Sequence, residues 1–133
     1  LANIKNGKTV LVWAVADGRI IGQGDLVRGD TRDWHVGTVG LMVDRDFRGE
    51  GIGRFLIEYI LKEAKKMPGL KIVKLSIFDD NAIAKKLYQK LGFREFARLP
   101  KGFYRKGKFS DALQMYKELK SLNNFIKLPK SWS

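Results

Sequence analysis

Apolar side chains recur along this chain in two rhythms. Residues 9–15 (Thr-Val-Leu-Val-Trp-Ala-Val) are nearly all apolar and rich in β-branched types, as in a buried strand. Asp17-Gly18 follows, a two-residue hairpin signal, and 20–27 supplies the returning strand. After a polar turn at 29–33, residues 34–43 read as a third strand. Gly37 and Gly40 inside it mark a bulge or a close approach to the backbone.

The period then changes. Ile52, Phe55, Leu56, Tyr59, Ile60 and Ala64 fall at three- and four-residue steps and predict a helix over 51–67. Glu50 at its start and Lys62, Lys65 and Lys66 at its end suit the helix dipole, and Pro68-Gly69 stops it. Residues 71–78 read as a strand. Residues 81–91 read as a second helix with Ala84, Leu87, Tyr88 and Leu91 on one face. Asp80 or Asn81 can cap it and Gly92 can end it. Residues 94–104 and 111–119 form a final hairpin around Lys106-Gly107-Lys108, although the last segment also scores as a helix. The order β-β-β-α-β-α-β-β predicts an α/β fold with a mixed sheet. No linker or repeat divides the 133 residues, so one domain is expected, with a core over about 10–119 and a tail from about 120.

Composition narrows the chemistry. Apolar residues make up 44% and charged residues 30%, an ordinary globular balance, and no apolar run is long enough to span a membrane. The first residues show no secretory signal, and a cytoplasmic protein is expected. Cysteine is absent, which excludes disulfides, thiolate metal sites and cysteine nucleophiles. With His35 as the single histidine, two-His metal sites are excluded as well, and no metal is expected. The net charge of +12 favours an anionic partner. Residues 85–108 hold nine cations against the single anion Glu95, either a solvated face or a binding surface.

The densest chemical signal is Val43-Asp44-Arg45-Asp46-Phe47-Arg48-Gly49-Glu50-Gly51-Ile52-Gly53-Arg54. A strand ends, three glycines follow and a helix begins. Unpaired N–H groups at a helix start make an anion site, and missing Cβ atoms let a phosphate come close. The dinucleotide fingerprint needs a third glycine three residues after its second, and the Walker loop needs Gly-Lys-Ser/Thr; neither fits.

Arg48-Gly49-Glu50-Gly51-Ile52-Gly53 resembles the Gln/Arg-x-x-Gly-x-Gly/Ala signature of the GNAT N-acetyltransferases, and the stretch from Asn81 through Leu87-Tyr88-Gln89-Lys90-Leu91-Gly92-Phe93 resembles their second signature, in matching order and spacing. The resemblance covers about 10–119. It implies a mostly antiparallel central sheet with flanking helices, and acetyl transfer from acetyl-CoA to a primary amine. The N–H groups of Gly49, Gly51, Gly53 and Arg54, with Arg48 and Ile52 beside them, would hold the pyrophosphate. Leu41, Met42 and Val43 would pair with the pantetheine arm, the Val43 N–H polarising the thioester carbonyl. Lys85 and Lys86 would assist at the phosphates, Asn81 would hydrogen-bond the cofactor, and Tyr88 would protonate the departing thiolate. A thiol pKa near 8.5 and a phenol pKa near 10 make that transfer only mildly uphill; the other reading of Tyr88 is a core aromatic.

Without cysteine no acetyl-cysteine intermediate forms, so the amine attacks directly in a ternary complex. Some relatives place a glutamate base five residues before the asparagine, where this chain has Ser76; Asp25, His35, Asp44 and Asp79 are the alternatives. The family also begins with a strand and two helices that cover the acceptor site. Here eight residues precede the first clear strand, which points to truncation, disorder or an unusually short variant. The final segment, with Leu99-Pro100-Lys101-Gly102 and Met115, looks like that of small-molecule and ribosomal-protein acetylators, and the family habit allows a homodimer. Two other readings stand beside this one: a CoA-binding member without transfer activity, and a basic module for nucleic acid or acidic protein. Phe93, Phe96, Phe103 and Tyr104 interleave with cations as stacking would need. They also alternate as hairpin core residues do, and nucleic acid is not the expected partner.

Overall fold

The computed structural model describes residues 2–5 and 7–119. They fall into two compact units. One runs up to Val73 and resumes at Leu119; the other is Lys74–Glu118.

In the first unit β1 (Ala2–Lys5), β2 (Thr9–Ala16), β3 (Arg19–Arg28) and β4 (Val36–Val43) form an antiparallel meander. Asp17 and Gly18 both have positive φ, 51° and 75°, the geometry of the tight hairpin turn their sequence predicts. The α-helix α1 (Ile52–Ala64) packs on this sheet. Val10, Val12, Leu26 and Val39 are buried, as are Leu56, Ile57 and Ile60 of the helix. Each such side chain contributes about 1.5–3 kcal/mol on burial. A Cβ on Gly24 would lie 2.7 Å from Ile60 Cδ1, so glycine at this point sets how closely α1 can approach.

Two sequence expectations change here. A four-residue strand, β1, precedes the first expected one; Ala2-Asn3-Ile4-Lys5 is too short for its alternation to register against background. The third strand starts at Val36, not residue 34, because Trp34 and His35 lie in the preceding turn. There Arg28 draws Trp34 inward, as described below.

The second unit holds β5 (Ile72–Phe78), whose first two residues still belong to the first, then α2 (Ala82–Lys90), β6 (Arg94–Arg105) and β7 (Lys108–Glu118). β7 lies between β5 and β6 and runs antiparallel to β6. The segment that also scored as a helix is therefore a strand, and its Ala112, Leu113 and Met115 are buried. Between Leu99 and Phe103 the register slips, and Lys101 takes φ 58°. The Asp111 carboxylate holds this bulge by accepting from the Lys101 amide at 3.1 Å and from Arg98 at 3.2 Å. Those two donors hold the Asp111 pKa below the ordinary carboxylate range. The expected tail from about 120 lies outside the described residues.

Candidate active site

The glycine loop is built from the end of β4. Asp44 Oδ1 accepts from the Asp46 amide at 3.3 Å and starts a single turn of 3-10 helix, Arg45–Phe47. Gly49 and Gly51 then take φ 84° and 81°. Such angles are costly for any residue with a Cβ, which is why glycine occupies both. Gly51 is the N-cap of α1 and offers no side-chain acceptor, so no side chain caps the first turn of the helix. The N–H groups of Ile52, Gly53 and Arg54 are left for an anion. A Cβ on Gly49 or Gly51 would meet nothing within 4 Å, and one on Gly53 would meet only Val43 Cγ2 at 3.8 Å. The cradle is open at the atoms a pyrophosphate would approach.

The two arginines of the loop are less free than their sequence position implies. Arg54 Nε pairs with Glu58 at 2.8 Å, and Arg48 Nε folds back onto the Val43 carbonyl at 3.2 Å. Arg48 thus ties the loop to the strand end. Along β4 the Asp44 amide donates to the Ile21 carbonyl at 2.7 Å. Alternation on an antiparallel ladder then turns the Met42 amide toward β3 and those of Leu41 and Val43 away from it. The Val43 amide is therefore not used in pairing with β3, and Met42 contributes an exposed side chain instead.

In the second unit Asn81 Oδ1 accepts from the Ala84 amide at 3.1 Å and caps α2, leaving its NH₂ free to donate. Lys85 sits 3.8 Å from Glu95, while Lys86 is exposed. Tyr88 is the buried residue of α2, edge-on to Phe93 with ring centroids 5.6 Å apart. Burial pushes its phenol up to about 12. Full transfer to a thiolate is then roughly 5 kcal/mol uphill, more than ordinary values imply, and donation of a hydrogen bond becomes the phenol's stronger use.

The four candidate bases separate. His35 lies at the far end of β4 from Val43, roughly 25 Å along the strand. Both Asp44 oxygens are engaged, one by the helix cap and one by Arg19 at 3.3 Å. Asp79 is 3.4 Å from Arg98. Asp25, opposite Gly40, makes no ion pair among the described residues. Ser76 is exposed on β5. Of the hairpin aromatics, Phe93 is buried and Phe103 packs on Phe78 at 4.4 Å, as core residues should. Phe96 and Tyr104 stay 49% and 65% exposed, which the alternation did not predict. No helix among the described residues is long and apolar enough to cross a membrane, and no three of their His, Asp or Glu side chains group as metal ligands would.

The family model for the acetyltransferase (GNAT) family matches residues 2–93, across the cradle and both signatures. The chain belongs to the GNAT family. Among its curated relatives, an L-amino acid N-acetyltransferase of Escherichia coli is 29% identical over 103 residues, 77% of this chain and 64% of that protein. The ribosomal protein bS18-alanine N-acetyltransferase of the same organism is 36% identical over 64 residues, 48% of this chain and 42% of that protein. The chain thus spans less than two thirds of the length of these GNAT relatives. A GNAT acetyltransferase structure from Streptococcus pneumoniae superposes with a TM-score of 0.79 at 25% identity, covering 86% of this chain and 69% of that one. A Salmonella typhimurium acetyltransferase structure containing acetyl-CoA gives 0.76 at 21% identity, with 90% and 69% covered, and shares the fold. The mixed, mostly antiparallel α/β fold expected from the sequence is the GNAT fold.

Proposed function

We propose that this chain is an acetyl-CoA-dependent N-acetyltransferase that moves the acetyl group directly to a primary amine in a ternary complex. The observation that carries this is the open cradle at the start of α1, next to the end of β4 where the Val43 amide points away from β3. When bound, acetyl-CoA supplies a thioester. The acceptor ammonium first gives up a proton, with Asp25 the base candidate left unpaired, reaching it through water. The nitrogen then attacks the thioester carbon while the Val43 N–H receives the developing oxyanion. The C–S bond breaks, the thiolate takes a hydrogen bond from Tyr88 and then a proton, and one proton is released per turnover. Asn81 NH₂ and Lys86 serve the cosubstrate, and Lys85 does so when it leaves Glu95.

The relatives named above act on amino acids and on a ribosomal-protein alanine, which supports an amine acceptor. A cytoplasmic location and a homodimer belong to the same reading and are checked by cell fractionation and light scattering. The chain has no cysteine, so a thiol reagent reads CoA release without background from the protein. Thiol production that rises with amine concentration is the expected result. Acetyl-CoA binding with no amine-dependent thiol would leave a CoA-binding protein without transfer activity.

A further inference from the structure

A cleft of about 420 Å³ opens at the ends of β3 and β4, wholly within the first unit, lined by Ile20, Ile21, Gln23, Met42, Val43, Asp44, Arg45 and Arg48 among others. Its size suits a small molecule. Val43 belongs both to this cleft and to the proposed oxyanion site, so the cleft adjoins that site.

The polar groups on the wall sort by what they have left to offer. Of the acceptors, the Asp44 carboxylate and the Ile21 and Val43 carbonyls each hold a hydrogen bond already, and that carboxylate is paired with Arg19. Asp44 gives one oxygen to the Asp46 amide and the other to Arg19. The Ile21 carbonyl takes the Asp44 amide, and the Val43 carbonyl takes Arg48 Nε. The donors have more to give. Gln23 Oε1 accepts from Trp13 Nε1 at 3.0 Å, which pins the amide and leaves its NH₂ available. Arg45 makes no ion pair among the described residues, and Arg48 keeps its terminal NH groups. The remaining wall, Ile20, Ile21, Met42 and Val43, is apolar, with Ile20 and Met42 55% and 74% exposed.

A cleft that sets two arginines and a free amide NH₂ against one carboxylate already paired with Arg19 suits a ligand that brings a carboxylate. It repels a polycation, as does the chain's overall charge of +12. We infer that this cleft is the acceptor site, that the acceptor is a free amino acid with an apolar side chain, and that Arg45 and Gln23 select it by binding its α-carboxylate. Met42 and Ile20 take the side chain, and the α-amine lies toward Val43. The inference rests on the acetyltransferase reading and adds the acceptor class to it.

Two measurements on the full chain separate the inference from that reading. The first is equilibrium binding, in the presence of CoA, of N-acetyl-leucine against N-acetyl-leucinamide, which lacks the carboxylate. The second is thiol release with leucine, methionine, leucinamide and spermine. The expected result is that the acid binds and turns over at least about tenfold better than the amide, and that Arg45→Gln raises the leucine KM at least about tenfold with the acetyl-CoA KM unchanged. Arg45 is exposed, so the variant should fold, and Gln23→Leu should act in the same direction. Selective binding of the acid without turnover supports the cleft assignment and refutes the transferase reading. Equal use of acid and amide, preference for spermine, or an Arg45→Gln effect on acetyl-CoA in place of leucine overturns the inference and leaves the transferase reading intact.

Discussion

The guanidinium of Arg28 lies 3.5 Å from the ring centroid of Trp34, and the same side chain donates to three backbone carbonyls: Trp34 at 2.8 Å, Gly7 at 3.1 Å and Pro68 at 2.8 Å. Arg28 is 3% exposed and its pKa is lowered by that burial. Its partners sit before β2, before β4 and after α1, so one planar cation fastens three separate turns of the first unit. Lysine keeps the charge but not the fork. Arg28→Lys is expected to destabilise the chain by roughly 2–3 kcal/mol, because a buried cation loses the fork that serves three carbonyls at once. Urea unfolding reads this directly. Acetyl-CoA affinity should not move, since Arg28 pairs with Gly37 at the opposite end of β4 from Val43. A change below about 0.5 kcal/mol would show that water replaces the fork.

Gly53→Ala should move stability and binding in opposite directions. Gly53 lies within α1 and its φ is not in the left-handed region, and an added methyl makes only ordinary contact with Val43. Alanine in a helix is favoured over glycine by roughly 0.5–1 kcal/mol, so thermal stability should rise. The same methyl stands where the pyrophosphate would approach, and the acetyl-CoA Kd should rise more than about tenfold by titration. The comparison at Gly51 is less clean, because its φ of 81° strains any other residue even without ligand. Unchanged Kd in a stabilised Gly53→Ala protein would remove the loop from the site.

Much of this organisation is legible in the residues themselves, and the reasons are local. Asp17-Gly18, Gly51 and Asn81 announce a turn, a helix start and a cap because few other residues tolerate or make those conformations. The stripe from Ile52 to Ala64 announces the helix by its period, and Leu56, Ile60 and Ala64 of it are buried. Phe55 is exposed, however, while Ile57 and Leu61, which the stripe left out, are buried, because the sheet packs on a face rotated from the one the period picks. Tertiary effects are not written that way. Nothing near Arg28 in sequence reveals that Gly7 and Pro68 are its partners, 21 and 40 positions away. Nor does the sequence show that Arg48, read as a charge for a phosphate, turns back onto the Val43 carbonyl, whereas the Arg54–Glu58 pair follows from i,i+4 spacing on α1. The donor-rich cleft is illegible for the same reason, since it depends on which acceptors have already been used.

Asn81 carries two roles that a conservative exchange separates. Its oxygen caps α2 through the Ala84 amide, and its NH₂ is the group left for the cosubstrate. Asn81→Asp keeps a good capping acceptor, so the melting temperature should hold, while the donor disappears and acetyl-CoA affinity falls by about three- to tenfold. Asn81→Ala should lose both, with stability down by about 0.5–2 kcal/mol. Equal acetyl-CoA affinity in the wild type and Asn81→Asp would confine the residue to capping.

Tyr88 ties stability to pH and catalysis to a hydrogen bond. Its folded-state pKa is pushed up to about 12 by burial, against an ordinary phenol value near 10. The folded state therefore favours the neutral phenol. The corresponding contribution is fully present below pH 10 and is lost as pH rises from there through about 12, amounting to roughly 2–3 kcal/mol. Lysines also lose charge in that window, so the quantity to measure is the difference between wild type and Tyr88→Phe. The variant has no phenol to ionise, and its stability should fall less steeply above pH 10. In turnover, a phenol with so high a pKa is a poor donor of a whole proton but a competent hydrogen-bond partner for a thiolate. Removing such a bond to a charged group costs about 1.5–3 kcal/mol, so kcat for Tyr88→Phe should drop by roughly ten- to a hundredfold with the acetyl-CoA KM unchanged. Thiol release followed through a single turnover separates this step from product departure. A Tyr88→Phe protein that shows the altered pH dependence of stability but forms CoA thiol at the parent rate would make Tyr88 a core aromatic with no part in the transfer.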